Sequence, residues 1–132
     1  YRREDYLSAL KTFDVKVFLV PGSDGSCRAL LQSMSMGLPI VTSSIGILPE
    51  LVHDGVNGFL ASAMRAGDFA EAFGRLLRDP SRRREQGVQS RRLCLERYTL
   101  AAQAKRVEQE YHKLLERHRE KSTRPPVHQS RS

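Results

Sequence analysis

The sequence predicts an α/β fold in which a thin parallel sheet is flanked by helices. Two short apolar segments rich in β-branched residues, 15–20 and 39–42, are typical of strands that are buried on both faces. An amphipathic segment at 27–36 lies between them, so the three form a strand–helix–strand unit with short loops. Because an open doubly wound sheet usually has about five or six strands, we expect these residues to form the second half of one domain.

The elements of the first half follow from the spacing of their apolar residues. They are a helix over 3–12, a strand over 15–20, a helix over 27–36, a strand over 39–42 and one helical turn over 48–52. Gly37 ends the second helix, since glycine adopts the left-handed conformation found after a helix C-terminus. Pro39 follows it at a position where a helix could not continue.

The second half is predicted to add one strand and three helices. Their ranges are 58–61 for the strand and 68–77, 80–98 and 100–120 for the helices. Asp68 is suited to cap the helix that it begins. Residues spaced 4, 3, 4, 3 and 4 apart form one apolar seam on the last helix: Leu100, Ala104, Val107, Tyr111, Leu114 and His118. Residues 121–132 have two prolines and no acids, which predicts a disordered basic tail.

The composition excludes several classes of protein. A chain of 132 residues with 39% hydrophobic and 28% charged residues is typical of a globular domain, not of a disordered or fibrous protein. No apolar run approaches the roughly 20 residues of a membrane-spanning helix, and we expect no signal peptide. Cys27 and Cys94 have no paired spacing, so neither a disulfide scaffold nor a zinc site is expected. The start at Tyr1, not at methionine, indicates a piece of a longer protein.

The net charge of +7 is unevenly distributed. Residues 1–60 carry a net charge of −1, and residues 61–132 carry +8. The basic half is compatible with phosphate-rich ligands, an anionic membrane surface or nucleic acid. The arginines at 82–84 and 91–92 are typical of solvated helix faces, and docking to a membrane surface is the alternative. Because no nucleic-acid-binding motif accompanies them, a nucleic-acid-binding module ranks last among the functions considered.

The loops after the first two strands are the candidate ligand site. In open α/β sheets ligands bind beyond the carboxyl ends of the strands, and residues 22–28 and 43–46 occupy those positions. Glycines in the first loop let the backbone approach a ligand, and the following helix offers unpaired N–H groups to an anion. The sequence therefore predicts a diphosphate site, although a polar strand-to-helix turn explains the loop equally well when it is taken alone.

Asp24 and Gln32 extend this site along the helix. Gln32 shares one side of the helix with Arg28, Ala29 and Ser35, because successive residues turn by about 100°, and it faces away from Leu30 and Met34. An acid at the helix mouth and a polar group farther along could hold two ends of an extended ligand. A solvated surface position is the alternative for Gln32.

Residues 17–60 begin with an apolar strand that ends in Pro21, and five motifs follow this strand in order. They are Asp24-Gly25-Ser26-Cys27, Gln32, Ser33-Met34-Ser35-Met36-Gly37-Leu38-Pro39-Ile40-Val41, Gly46-Ile47-Leu48-Pro49-Glu50 and Asp54-Gly55-Val56-Asn57-Gly58. This order resembles the donor-binding region of the glycogen-synthase-like glycosyltransferases, or glycosyltransferase group 1. Their pattern is Glu-Gly-Phe-Gly, a second Glu eight residues after the first, Ala-Met-Ala-x-Gly-x-Pro-Val-Val, Gly-Gly-x-Pro-Glu and Asp-Gly-x-x-Gly.

The resemblance implies a partial Rossmann-like parallel sheet flanked by helices, the C-terminal half of the donor-binding domain of a two-domain glycosyltransferase. Residues 1–120 would form this part, and 121–132 the tail. The implied reaction moves a hexose from a nucleoside diphosphate sugar to a sugar or lipid-linked acceptor, with retention of configuration and with neither metal nor cofactor. These residues alone are expected to be inactive. A cytoplasmic protein, peripheral on the inner membrane face, fits this activity and the basic second half.

The resemblance also implies roles for single residues. By position, Asp24 is the catalytic acid that contacts the sugar, and Gln32 stands where a carboxylate holds the ribose hydroxyls. The remaining donor-binding residues, several of which offer backbone amides to the sugar and the diphosphate, are Gly25, Ser26, Cys27, Arg28 and Ala29.

Three differences from the family pattern bear on activity. Asp24 is one methylene shorter than Glu, and Gln32 is neutral with one acceptor oxygen where a carboxylate has two. Ile47 replaces the second glycine of Gly-Gly-x-Pro-Glu and would be strained if that position required a positive φ. These differences favour a second hypothesis, a catalytically impaired homologue that binds a nucleotide-sugar or a partner protein without turnover.

Overall fold

The computed structural model describes residues 3–19, 27–62 and 65–122. The elements in chain order are α1 (Arg3–Leu10), β1 (Lys16–Phe18), α2 (Arg28–Ser35), β2 (Ile40–Ser43), α3 (Leu48–Leu51), β3 (Gly58–Ala61), α4 (Ala66–Arg78), α5 (Pro80–Arg97) and α6 (Leu100–Ser122). Their order and type match the prediction. The chain forms two compact units, one up to Tyr98 and one from Thr99.

The described strands form one parallel sheet in the order β1-β2-β3. Lys16 pairs with Ile40 across the first interface, and Ile40 pairs with Gly58 across the second. The central strand β2 is buried along its whole length. The predicted fold class, a partial parallel sheet flanked by helices, is confirmed.

Helices cover the sheet on both faces. Neighbouring residues of a strand point to opposite faces, so Ile40 and Val41 belong to different cores. Ile40 packs with α2, α3 and α5 in a cluster that includes Leu30, Met34 and Leu93. On the other face, Val41 and Phe59 pack with Ala72 and Leu76 of α4.

The prediction that β1 is a long strand buried on both faces is wrong. Only Lys16–Phe18 are paired, Val17 is 40% exposed and Leu19 is 51% exposed. Among the described residues β1 has a neighbour on one side only, and α4 packs mainly on β2 and β3. Side chains of β2 bond the carbonyls at the end of β1 and just after it, since Thr42 Oγ1 donates to Phe18 O and Ser43 Oγ donates to Leu19 O. Val20 lies outside the described residues.

The predicted cap of α4 is also wrong. The helix begins at Ala66, before the predicted start, and its N-cap is Arg65, which makes no capping side-chain bond. Asp68 lies in the first turn and accepts a hydrogen bond from Ser62 Oγ. Because Ala66 and Gly67 belong to the helix, Asp68 lies inside it and cannot be its N-cap.

The second unit contains α6, which ends two residues beyond the predicted boundary. The predicted seam lies along one side of this helix, and its large apolar side chains are exposed, from 55% for Val107 to 86% for Leu100. Residues 123–132 of the predicted disordered tail lie outside the described residues.

Candidate functional site

The structure describes only part of the predicted site. Asp24, Gly25 and Ser26 lie outside the described residues. Cys27 is the N-cap of α2, and the helix that follows carries the remaining predicted donor-binding residues, Arg28, Ala29 and Gln32. These four residues are therefore held by α2, which packs on the sheet beside α5.

Cys27 has an unusual backbone conformation. Its φ of 45° and ψ of 35° are left-handed, and among the described residues no other non-glycine residue has a positive φ. The side chain is 2% exposed and packs in the core with Leu30 and Met34. Cys27 stands at the second glycine of the Glu-Gly-Phe-Gly pattern, so the backbone keeps a glycine-like turn although the residue has changed.

We expect Cys27→Gly to be more stable than Cys27→Ala by about 1 kcal/mol. Both variants lose the buried thiol, but only glycine relieves the left-handed strain, which costs about 1–2 kcal/mol. Urea denaturation of the two variants measures the difference. Ala29→Gly is the matched control, because the same exchange inside α2 should be destabilising by about 1 kcal/mol. If Cys27→Gly is less stable than Cys27→Ala, the left-handed conformation at position 27 is not strained.

The first turn of α2 presents backbone N–H groups. The N–H groups of Leu30 and Leu31 donate to Cys27 O at 2.8 and 3.0 Å. Those of Arg28 and Ala29 have no acceptor among the residues that the structure describes. Unpaired N–H groups and the helix dipole together attract an anion, and the Arg28 side chain is exposed at the same end of the helix.

Gln32 lies on the predicted side of α2. Leu30 and Met34, on the other side, are fully buried, whereas Gln32 is half-buried. The Gln32 backbone oxygen accepts hydrogen bonds from Met36 N at 3.1 Å and from Ser35 Oγ at 2.7 Å. Its side-chain amide makes no hydrogen bond to the described part of the chain.

The loop after β2 is compatible with Ile47. Gly46 has the positive φ, 57°, and Ile47 has a φ of −78°, in the ordinary right-handed region. The expected strain at Ile47 is therefore absent. The left-handed position of this loop is occupied by the glycine that the chain retains.

The Asp54–Gly58 turn holds β3 in place. Asp54 Oδ1 accepts from Leu60 N at 2.8 Å, and the side chain of Asn57 bonds both His53 N at 2.7 Å and Leu51 O at 3.1 Å. Two buried residues of α5 reach the same turn: Gln86 Nε2 donates to Gly55 O at 3.1 Å and Ser90 Oγ donates to Asn57 O at 2.9 Å. Gln86 and Ser90 were not predicted from the sequence, and they have no local signal because their partners are distant in sequence.

Comparisons with known proteins identify the family. A family model described as "Glycosyl transferases group 1" matches residues 2–79, more than half of the chain. The chain belongs to this family. The predicted resemblance is thereby confirmed.

Curated relatives match parts of the chain. The chain is 36% identical over 90 residues to alpha-maltose-1-phosphate synthase of Mycolicibacterium smegmatis, which covers 64% of this chain and 23% of that protein. It is 38% identical over 53 residues to D-inositol 3-phosphate glycosyltransferase of Actinosynnema mirum, covering 40% of this chain and 13% of that protein. The chain thus spans less than a quarter of the length of these relatives.

A solved structure supports the same fold. Sucrose-phosphate synthase of Thermosynechococcus elongatus superposes with a TM-score of 0.63 and 27% sequence identity. The superposition covers 83% of this chain and 27% of that one. The three-stranded sheet and its helices therefore have a counterpart in a larger protein.

Two arginines of this group 1 chain have structural roles. Arg83 Nη1 donates to the carbonyls of Leu76 and Leu77 at 2.8 Å each, at the end of α4. Arg91 Nη1 donates to Ser35 O at 2.6 Å, at the end of α2. A cation at a helix C-terminus is favourable, so these two residues cap helices. Arg84 and Arg92 are exposed.

Among the described residues, no group of three or more His, Cys, Asp or Glu side chains is placed to hold a metal ion.

Cys94 is buried, and its Sγ donates to Leu31 O at 3.4 Å. Burial raises the pKa of its thiol above the ordinary value, and the nearby Arg91 opposes this only in part. A neutral thiol is a poor nucleophile. No helix in the described part is long and apolar enough to cross a membrane.

Proposed function

We propose that this chain is the donor-binding part of a glycosyltransferase that moves a hexose from a nucleoside diphosphate sugar to a sugar or lipid-linked acceptor. The transfer proceeds with retention of configuration and without a metal. The observation that carries the proposal is the N-terminus of α2 in a group 1 chain, where the N–H groups of Arg28 and Ala29 have no acceptor among the described residues.

The diphosphate lies at this end of α2 in the proposal. Backbone N–H groups and the positive end of the helix dipole attract its charge. The same groups favour the departing nucleoside diphosphate, since negative charge develops on it as the bond to the sugar breaks. The exposed Arg28 guanidinium adds a positive charge at the same end.

Two polar residues of the motif contact the other parts of the donor in this proposal. Asp24 contacts the hexose, and Gln32 contacts the ribose hydroxyls. The N-cap of α2 is Cys27 and Gln32 lies five residues later, about 7.5 Å along the axis at about 1.5 Å per residue. This separation suits a ligand that runs from a diphosphate at the helix end to a ribose beside the helix.

The catalytically impaired homologue is the second candidate. It is favoured by Gln32, because a ribose diol bonds a carboxylate more strongly than a neutral amide. Such a protein would bind the nucleotide-sugar without turning it over.

The protein is proposed to work in the cytoplasm, where nucleotide-sugars are available. Its basic second half is proposed to lie on an anionic membrane surface.

Full-length protein tested with several nucleotide-sugars separates these functions. We expect calorimetry to show binding of UDP, GDP or ADP, and a transfer or hydrolysis assay to show release of that diphosphate from its sugar, unchanged by EDTA. Binding without release would support the impaired homologue. If none of the three diphosphates binds, the proposed donor site is wrong.

A further inference from the structure

We infer that Gln32 makes the nucleotide site tolerant of 2′-deoxyribose, so that 2′-deoxynucleoside diphosphates bind nearly as well as the ribonucleoside forms. The inference rests on the proposed function and extends it to the class of donor. The side chain at the position proposed for the ribose, Gln32, is a half-buried neutral amide.

No carboxylate on α2 can replace Gln32. The helix sequence, Arg-Ala-Leu-Leu-Gln-Ser-Met-Ser, contains no acidic residue. Its two serines use their hydroxyl hydrogens within the helix, because Ser33 Oγ donates to Ala29 O at 2.8 Å and Ser35 Oγ donates to Gln32 O at 2.7 Å. The Gln32 amide, in contrast, has no hydrogen-bond partner in the described part of the chain.

The chemistry of the two side chains predicts different discrimination at the 2′ position. A carboxylate is an acceptor with two oxygens, so it can accept from the 2′ and 3′ hydroxyls, and each bond is charge-assisted. An amide has one acceptor oxygen and forms neutral bonds, which are about half as strong. Removing the 2′ hydroxyl should therefore weaken binding about tenfold or more beside a carboxylate, but only about threefold beside Gln32.

The amide also tolerates the missing hydroxyl for a second reason. A carboxylate left beside the bare 2′ carbon keeps a full charge that has lost one of its donors, which costs more than a neutral group in the same position. The Gln32 oxygen can still accept from the 3′ hydroxyl that both sugars have. The preference for ribose is thus small in this chain because of one uncharged side chain.

The test uses calorimetry on the full-length protein with three pairs of probes, UDP and dUDP, GDP and dGDP, and ADP and dADP. For the base that binds, we expect the deoxy form to bind within about threefold of the ribo form. In Gln32→Glu the ribo form should bind several-fold more tightly, and the ratio should widen to about tenfold or more. Gln103→Glu, at an exposed glutamine of α6, adds the same charge and should leave the ratio unchanged.

The outcomes distinguish this inference from the function on which it rests. A native ratio of about tenfold or more, or a ratio that Gln32→Glu does not widen, would overturn the inference and leave a ribonucleotide donor site intact. Failure of every diphosphate to bind would overturn the proposed function and the inference together. Thermal unfolding of both variants verifies that each is folded.

Discussion

Asp24→Ala in the full-length protein is expected to lower the rate of sugar transfer by about 100-fold or more. Binding of the bare nucleoside diphosphate should stay unchanged, because that ligand lacks the hexose that Asp24 contacts in the proposal. A transfer assay and calorimetry with the diphosphate measure the two effects on the same preparation. The separation between them is what assigns Asp24 to the sugar and not to the nucleotide.

The control for Asp24→Ala is Asp5→Ala, which removes the same charge from an exposed position on α1. This variant should keep full transfer. Full transfer by Asp24→Ala would show that the catalytic role proposed for Asp24 is wrong. Joint loss of transfer and diphosphate binding would mean that Asp24 organises the loop instead of contacting the sugar.

Gly58→Ala is expected to lower the free energy of unfolding by about 3 kcal/mol or more. A Cβ atom at Gly58 would lie 1.9 Å from Ile40 O and within 3 Å of two other backbone atoms of the same residue. Backbone atoms cannot move aside without disturbing the pairing of Ile40 with Gly58 in the sheet, and forced overpacking costs typically about 1–3 kcal/mol and occasionally more. Urea denaturation measures the change.

Gly67→Ala is the matched control for Gly58→Ala. Gly67 lies in α4, and a Cβ atom there would meet nothing within 4 Å. Since alanine favours a helix over glycine by about 1 kcal/mol, this variant should be equally or more stable. Native stability in Gly58→Ala would mean that β2 and β3 are farther apart than the structure shows.

Much of the fold could be predicted because local patterns report on the element that contains them. The strand Gly58–Ala61 has its predicted bounds, and Gly37 follows α2 with a φ of 78°, as its role after the helix requires. The side of α2 that carries Gln32 also followed from helical periodicity, since burial of Leu30 and Met34 orients the whole helix. These features depend on spacing within a few residues.

The candidate site was predicted less completely. The resemblance located α2 and its polar residues, but the left-handed conformation of Cys27 and the right-handed one of Ile47 depend on how each loop joins its strand to its helix. Glycine in the family pattern was the only signal for the first of these. The family pattern has glycine at both positions 46 and 47, so it did not show which of them has the positive φ, and the structure assigns it to Gly46.

By itself the sequence determined the family, the order of the elements and the apolar face of each amphipathic helix. The tertiary structure decided which strand is exposed at an edge, and which residues meet across the fold. Ser90 reaches Asn57 over 33 residues and Arg91 reaches Ser35 over 56. Periodicity specifies which side of an element is buried, but a contact between elements depends on how they pack, so such partners appear only when the chain is folded.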